Sequence, residues 1–130
     1  MHPLEISEAD YVRQILTAYR QTPTTAGRVY NQDRLLAAAL YRRGIPLDVV
    51  ENALVLGAMR RLYRDPGEPP LQPVRSLHYF NGIIQEVLDI KAHPKTRSAY
   101  PRYFQYLRYK VQNFEHFKQR FRDYDKFHQS

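Results

Sequence analysis

Apolar residues in this chain recur at spacings of three and four, and no stretch keeps up the strict alternation of a half-buried strand. Proline and glycine clusters cut that pattern into pieces of helical length. The chain is therefore expected to be all-α: a single small bundle of about five helices. No internal repeat appears beyond the recurrence of helices.

The first helix is expected from Glu8 to about Arg20. Ser7 is its N-cap, and Glu8 and Asp10 put negative charge in the first turn. Tyr11, Ile15 and Tyr19 repeat every four residues, with Val12 and Leu16 on the same face. Thr22, Pro23, Thr24, Thr25 and Gly27 break it. The second helix starts near Asn31, a further N-cap candidate, and Leu35, Leu36, Ala39 and Leu40 form its expected buried stripe. Gly44 supplies the left-handed residue that ends it, and Pro46 suits the opening turn of the third.

The third helix is expected to run to about Arg64 and to bury Val50, Ala53, Leu54, Ala58 and Leu62. Gly57 within it marks a place where another helix comes close. The proline-rich stretch 65–73 cannot be helix and reads as a semi-rigid connector. Ser76 caps a fourth helix carrying Phe80, Ile83, Ile84, Val87 and Leu88, closed by His93 and Pro94. Pro101 opens a fifth, expected to continue to about Arg122 or Tyr124. Its apolar stripe, Phe104, Leu107, Val111, Phe114 and Phe121, should pack on the fourth helix.

With 130 residues the chain fits one domain, a helical core over about 7–92 followed by a basic, aromatic C-terminal helix and tail over about 95–130. There is no Cys, which excludes disulfides, thiolate metal sites and a thiol nucleophile. The start, MHPLEISEADY, lacks the basic and apolar segments of a signal peptide, and the apolar runs are far too short to span a membrane. A cytoplasmic protein is expected.

Nothing suggests catalysis, a metal or a cofactor. The five histidines, His2, His78, His93, His116 and His128, are dispersed, and none has a second ligand at metal spacing. There is no glycine-rich phosphate loop and no G-x-S-x-G. Asp123 and Asp125 are the one close carboxylate pair away from a helix start. Glu115 and His116 are helix neighbours that point in different directions.

Charge is where the chain departs from the ordinary. It carries a formal net charge of +7 and a pI near 9.8. Residues 95–130 hold nine Lys or Arg against three Asp or Glu, and ten of the seventeen aromatics. Cations neutralise phosphates and flat rings stack on exposed bases, so a single-stranded nucleic acid suits such a mixture. On the fifth helix Tyr103, Tyr106 and Lys110 share one side, edged by Arg102 and Tyr109 and continued by Asn113. Arg97, Arg108, Arg120 and Arg122 back it. The clusters Arg42-Arg43 and Arg60-Arg61 with Arg64 close helices, where cations offset the macrodipole. They form a single patch only with help from the fifth helix.

The run from Gly44 to Leu54 sets Ala53-Leu54 nine and ten residues after a helix-ending glycine. Ser76-Leu77-His78-Tyr79-Phe80-Asn81-Gly82-Ile83-Ile84 then caps a helix with Tyr79, Ile83 and Val87 at i, i+4 and i+8. Together these resemble the helical C-terminal domain of DnaD-like primosomal and replication-initiation proteins, over about residues 35–88. That family is associated with binding single-stranded DNA and helping to load a replicative helicase. The resemblance implies an accessory role in DNA transactions and points to Tyr79, Ile83 and the basic segment after Lys91. A helix-turn-helix over 35–57 fits less well, because Asp48 and Glu51 would face the DNA.

The expected function is a non-enzymatic nucleic-acid-binding accessory protein in replication or mobile-element transactions, with DNA favoured over RNA. The alternative is an interaction subunit of a larger nucleoprotein machine, docking through its tyrosine-rich helix. A membrane partner is not expected, since no helix face joins a wide apolar surface to a lysine-rich one.

Overall fold

The computed structural model describes residues 4–65 and 67–117. Among these residues five α-helices follow in order: α1 (Glu8–Gln21), α2 (Asn31–Arg42), α3 (Leu47–Leu62), α4 (Asn81–Ala92) and α5 (Tyr100–Gln112), with a short 3₁₀ helix, Leu77–Phe80, before α4. No strand occurs among the described residues. One isolated parallel bridge joins Thr25 to Val74.

α3 lies at the centre because it is apolar around most of its circumference. Val49, Val50, Ala53, Leu54, Leu56 and Ala58 are all buried, and a helix apolar on several sides must be covered on several sides. α1, α4 and α5 pack on it. Tyr11, Ile15 and Tyr19 of α1, Phe80, Ile84 and Val87 around α4, and Tyr100, Phe104 and Leu107 of α5 complete one continuous core.

Several local expectations hold. The Ser7 side chain accepts from the Asp10 N–H. Gly44, at φ 72°, ends α2, and Pro46 leads directly into α3. Gly57 marks the close approach: a Cβ there would stand 2.5 Å from Phe80 Cε1 and 3.2 Å from Ile83 Cδ1.

α2 departs from the expected register. Tyr30, not Asn31, is its N-cap, and its buried residues are Asp33, Ala37, Leu40 and Tyr41, while Leu35 is 63% exposed and Ala39 is exposed. The cause is Asp33, which is fully buried. Its carboxylate accepts from the Tyr30 N–H at 2.8 Å, from the Leu77 N–H at 2.9 Å and from the Ser76 hydroxyl at 3.3 Å. One side chain thus caps α2 and holds the start of the 3₁₀ helix. Turning Asp33 inward turns Leu35 outward.

The C-terminal region differs too. α5 packs on α3 rather than on α4, because the turn after His93 redirects the chain. Regular helix stops at Gln112. Asn113 takes φ −110° and ψ 27°, with its side-chain amide donating to the Tyr109 carbonyl, before a further helical stretch at 114–117. The expected uninterrupted helix to Arg122 or Tyr124 is therefore broken at Asn113, and residues 118–130, with Phe121, Arg120 and Arg122, lie outside the described residues. Leu62, Val111 and Phe114 are half-buried rather than core.

The connector is pinned, not loose. The Ala26 N–H donates to the Val74 carbonyl and the Val74 N–H to the Thr24 carbonyl, both at 2.8 Å. Arg61 donates to the Gln72 carbonyl, and Arg64 to the Pro69 carbonyl at 2.9 Å.

Two stability measurements check this packing. Asp33→Ala leaves two backbone N–H groups without their acceptor and should cost about 2–4 kcal/mol in chemical denaturation. Gly57→Ala would gain up to about 1 kcal/mol in an exposed helix. Here the collision with Phe80 should reverse the sign, giving a net loss of about 1–2 kcal/mol.

Candidate nucleic-acid interface

α5 turns Tyr100, Phe104 and Leu107 into the core. Helical geometry then divides its other side chains between two flanks. Tyr103, Tyr106 and Lys110 fall on one. Pro101, Gln105 and Arg108 fall on the other, around a cavity shared with Asp48, Asn52 and Lys91.

On the first flank α5 meets the last turn of α3. The Tyr63 hydroxyl donates to the Lys110 carbonyl at 2.8 Å, which fixes the two helices side by side. The Lys110 ammonium stands 4.6 Å from the Tyr63 ring centroid, 5.3 Å from Phe117 and 5.8 Å from Tyr106. This is a cation held by ring faces. Burial pushes the Tyr63 hydroxyl up from its ordinary pKa, with Tyr106 adding to the shift.

Arg60 extends the face toward the 3₁₀ helix. It pairs with Glu86 of α4, which holds the guanidinium pKa above its ordinary value and the Glu86 carboxyl below its own. Tyr103 and Tyr79 lie close enough to Arg60 to add to its shift. Beyond it, the Arg61 guanidinium sits 5.3 Å from the Tyr79 ring centroid and donates to Thr24 Oγ1 at 3.0 Å and to the Tyr79 hydroxyl at 3.4 Å.

Arg60 and Arg64 are neutralised by Glu86 and Glu68. Arg61, Arg102 and Lys110 have no acidic partner among the described residues. Three tyrosines on this face, Tyr79, Tyr103 and Tyr106, are 48%, 44% and 56% exposed. The face therefore combines open rings with uncompensated positive charge, as stacking and phosphate binding require.

The structure divides the expected residues. Tyr79, Tyr103, Tyr106 and Lys110 come together. Tyr109 is exposed at the far edge, its ring centroid 5.8 Å from that of Phe117, and Arg102 is exposed on the outer side of α5. Arg97 is exposed in the turn before α5. Arg108 stands apart from them: it lies on the opposite flank and donates to Asn52 Oδ1 at 3.0 Å. Ile83 is half-buried beneath Gly57, and Lys91 pairs with Asp48 at 2.9 Å, so neither presents itself as a contact. Tyr63 was not singled out from the sequence, and Arg61 was placed there only in a helix-closing cluster that could join a patch with the fifth helix. Their signal was present, since Arg60-Arg61-Leu62-Tyr63-Arg64 repeats the cation and ring mixture of α5.

Among the described residues no group of three or more His, Asp or Glu is placed to hold a metal ion, and no helix is long and apolar enough to cross a membrane. No family model, curated protein or solved structure matches the chain.

Proposed function

We propose that the face built from the end of α3, α5 and the 3₁₀ helix binds nucleic acid, single-stranded DNA in the first place and with little sequence preference. The protein would act as a non-enzymatic accessory factor in replication or in mobile-element transactions. The observation that carries this reading is a face with three exposed tyrosines, on which Arg61 lies over Tyr79 and Lys110 over Tyr106, two cations with no acidic partner among the described residues. All three rings remain about half exposed. The resemblance of residues 35–88 to DnaD-like domains points the same way.

In this reading bases stack on Tyr103 and Tyr106 beside Lys110, and on Tyr79 beside Arg61, while the cations meet the phosphates. Affinity comes from charge and stacking rather than from base-edge readout, so it falls steeply with salt. The Arg60–Glu86 pair holds one further cation in reserve, already neutralised within the protein.

Fluorescence anisotropy with labelled single-stranded DNA, duplex DNA and RNA at two salt concentrations tests the reading. The full chain is required, because a truncation at Pro94 would remove Tyr100, Phe104 and Leu107 from the core. Tyr106→Ala should weaken single-strand binding by about 1–3 kcal/mol. Arg108→Gln, on the opposite flank, should leave it unchanged. If the two variants weaken binding equally, the face is wrongly placed. If no nucleic acid binds above background, the tyrosine face docks a protein instead.

Glu86→Gln makes a sharper check. Releasing Arg60 should tighten single-strand binding and steepen its salt dependence by up to about 0.7 in the log–log slope. An unchanged slope would remove Arg60 from the site.

A further inference from the structure

Among the described residues α3 is covered on three sides and open on a fourth. Glu51, Val55, Ala58 and Leu62 follow at i, i+4, i+7 and i+11, one line along the helix. α1 and α5 stand on either side of it. Hollows of about 290, 400 and 500 Å³ run end to end along this line. The first two share Ala18, Gln21 and Glu51, and the last two share Pro23, Val111 and Gln112. The result is a single groove. The strip from Glu51 to Leu62 is about 16 Å long, or three helical turns.

The groove has an apolar floor and a polar rim. Val55 and Val111 line its centre over the buried Leu54 and Ala58, with Gln21, Thr22, Gln112 and Arg108 at the edges. Interfaces between proteins share this arrangement. Two helices standing on a third also leave a slot between them, into which the side-chain ridges of another helix can pack.

Glu51 sets the chemistry of the occupant. It lines the first two hollows as well as the cavity beside Lys91. It makes no hydrogen bond and no ion pair among the described residues, although it is half-buried. Arg108, the cation that acts on it, donates to Asn52 Oδ1 instead. Burial raises the Glu51 carboxyl above its ordinary pKa, against the pull of Arg108. An acid half-buried in the groove, with no hydrogen bond or ion pair among the described residues, is complementary to a cationic side chain from elsewhere.

We propose that this groove seats an amphipathic helix of a partner protein, with apolar side chains on the half-buried Val55 and Val111 and a Lys or Arg paired with Glu51. The mode is helix-in-groove recognition. It uses none of the residues of the tyrosine face, so it stands or falls independently of nucleic-acid binding.

Panning a phage-displayed library of helical peptides on the full chain tests the proposal, with Glu51→Gln and Glu51→Lys as counter-screens. Glu51→Gln should fold at least as well as the native chain at neutral pH. A carboxyl whose pKa is raised by folding is disfavoured when ionised, so removing its charge costs no stability. Selected peptides should carry Lys or Arg beside an apolar stripe and bind Glu51→Gln about 5- to 30-fold more weakly. Selection on Glu51→Lys should shift that position to Asp or Glu. Failure to enrich any peptide, or peptides that bind Glu51→Gln as well as the native chain, would overturn the proposal. So would concentration-dependent self-association in sedimentation that Glu51→Lys abolishes, because a second copy of the chain would then be the occupant.

Discussion

Burial of α3 on several sides at once is the constraint to which the other elements answer. Its apolar residues do not confine themselves to one stripe, so no single partner helix can cover them. α1 supplies Ile15 and Tyr19, α4 supplies Ile84 and Val87, and α5 supplies Phe104 and Leu107. Each of these helices has one buried face and one wet face, and their placement around α3 decides where the wet faces point. The tyrosine face exists because α5 lies alongside the last turn of α3. The groove exists because α1 and α5 leave a gap between them.

Much of this was readable in the sequence where the cause is local. Ser7, Gly44, Pro46 and Pro101 act on the backbone within a few residues, so their effects need no knowledge of the rest of the chain. Gly57 could be read as a close approach because no other reason for a glycine in a long apolar helix presents itself. The register of α2 was hidden because its cause lies far away. Asp33 is buried to meet the N–H of Leu77, 44 residues on, and no periodicity rule anticipates a carboxylate in the place of a leucine.

The candidate site was legible by composition and not by geometry. Residue counts found the tyrosines and cations of α5. They could not show that Arg108 turns to Asn52, or that the run from Arg60 to Arg64 lies beside Tyr79 and Tyr103. Those facts depend on the turn at 93–99, which lays α5 against α3. Cations at a helix end offset the macrodipole in any context. That general explanation concealed the particular one for Arg61, whose guanidinium reaches a threonine, a tyrosine and a connector carbonyl rather than an acid.

The Thr25–Val74 bridge and the contacts of Asp33 with Ser76 and Leu77 close nearly the same loop, the one containing α2 and α3. Bringing its ends together has an entropic cost that depends on its length and is incurred once. Whichever contact forms first holds the segments of the other at high effective concentration. The two closures are therefore coupled, although they share no atom. Weakening either one loosens the other, and damage to both together should amount to less than the sum of the separate losses.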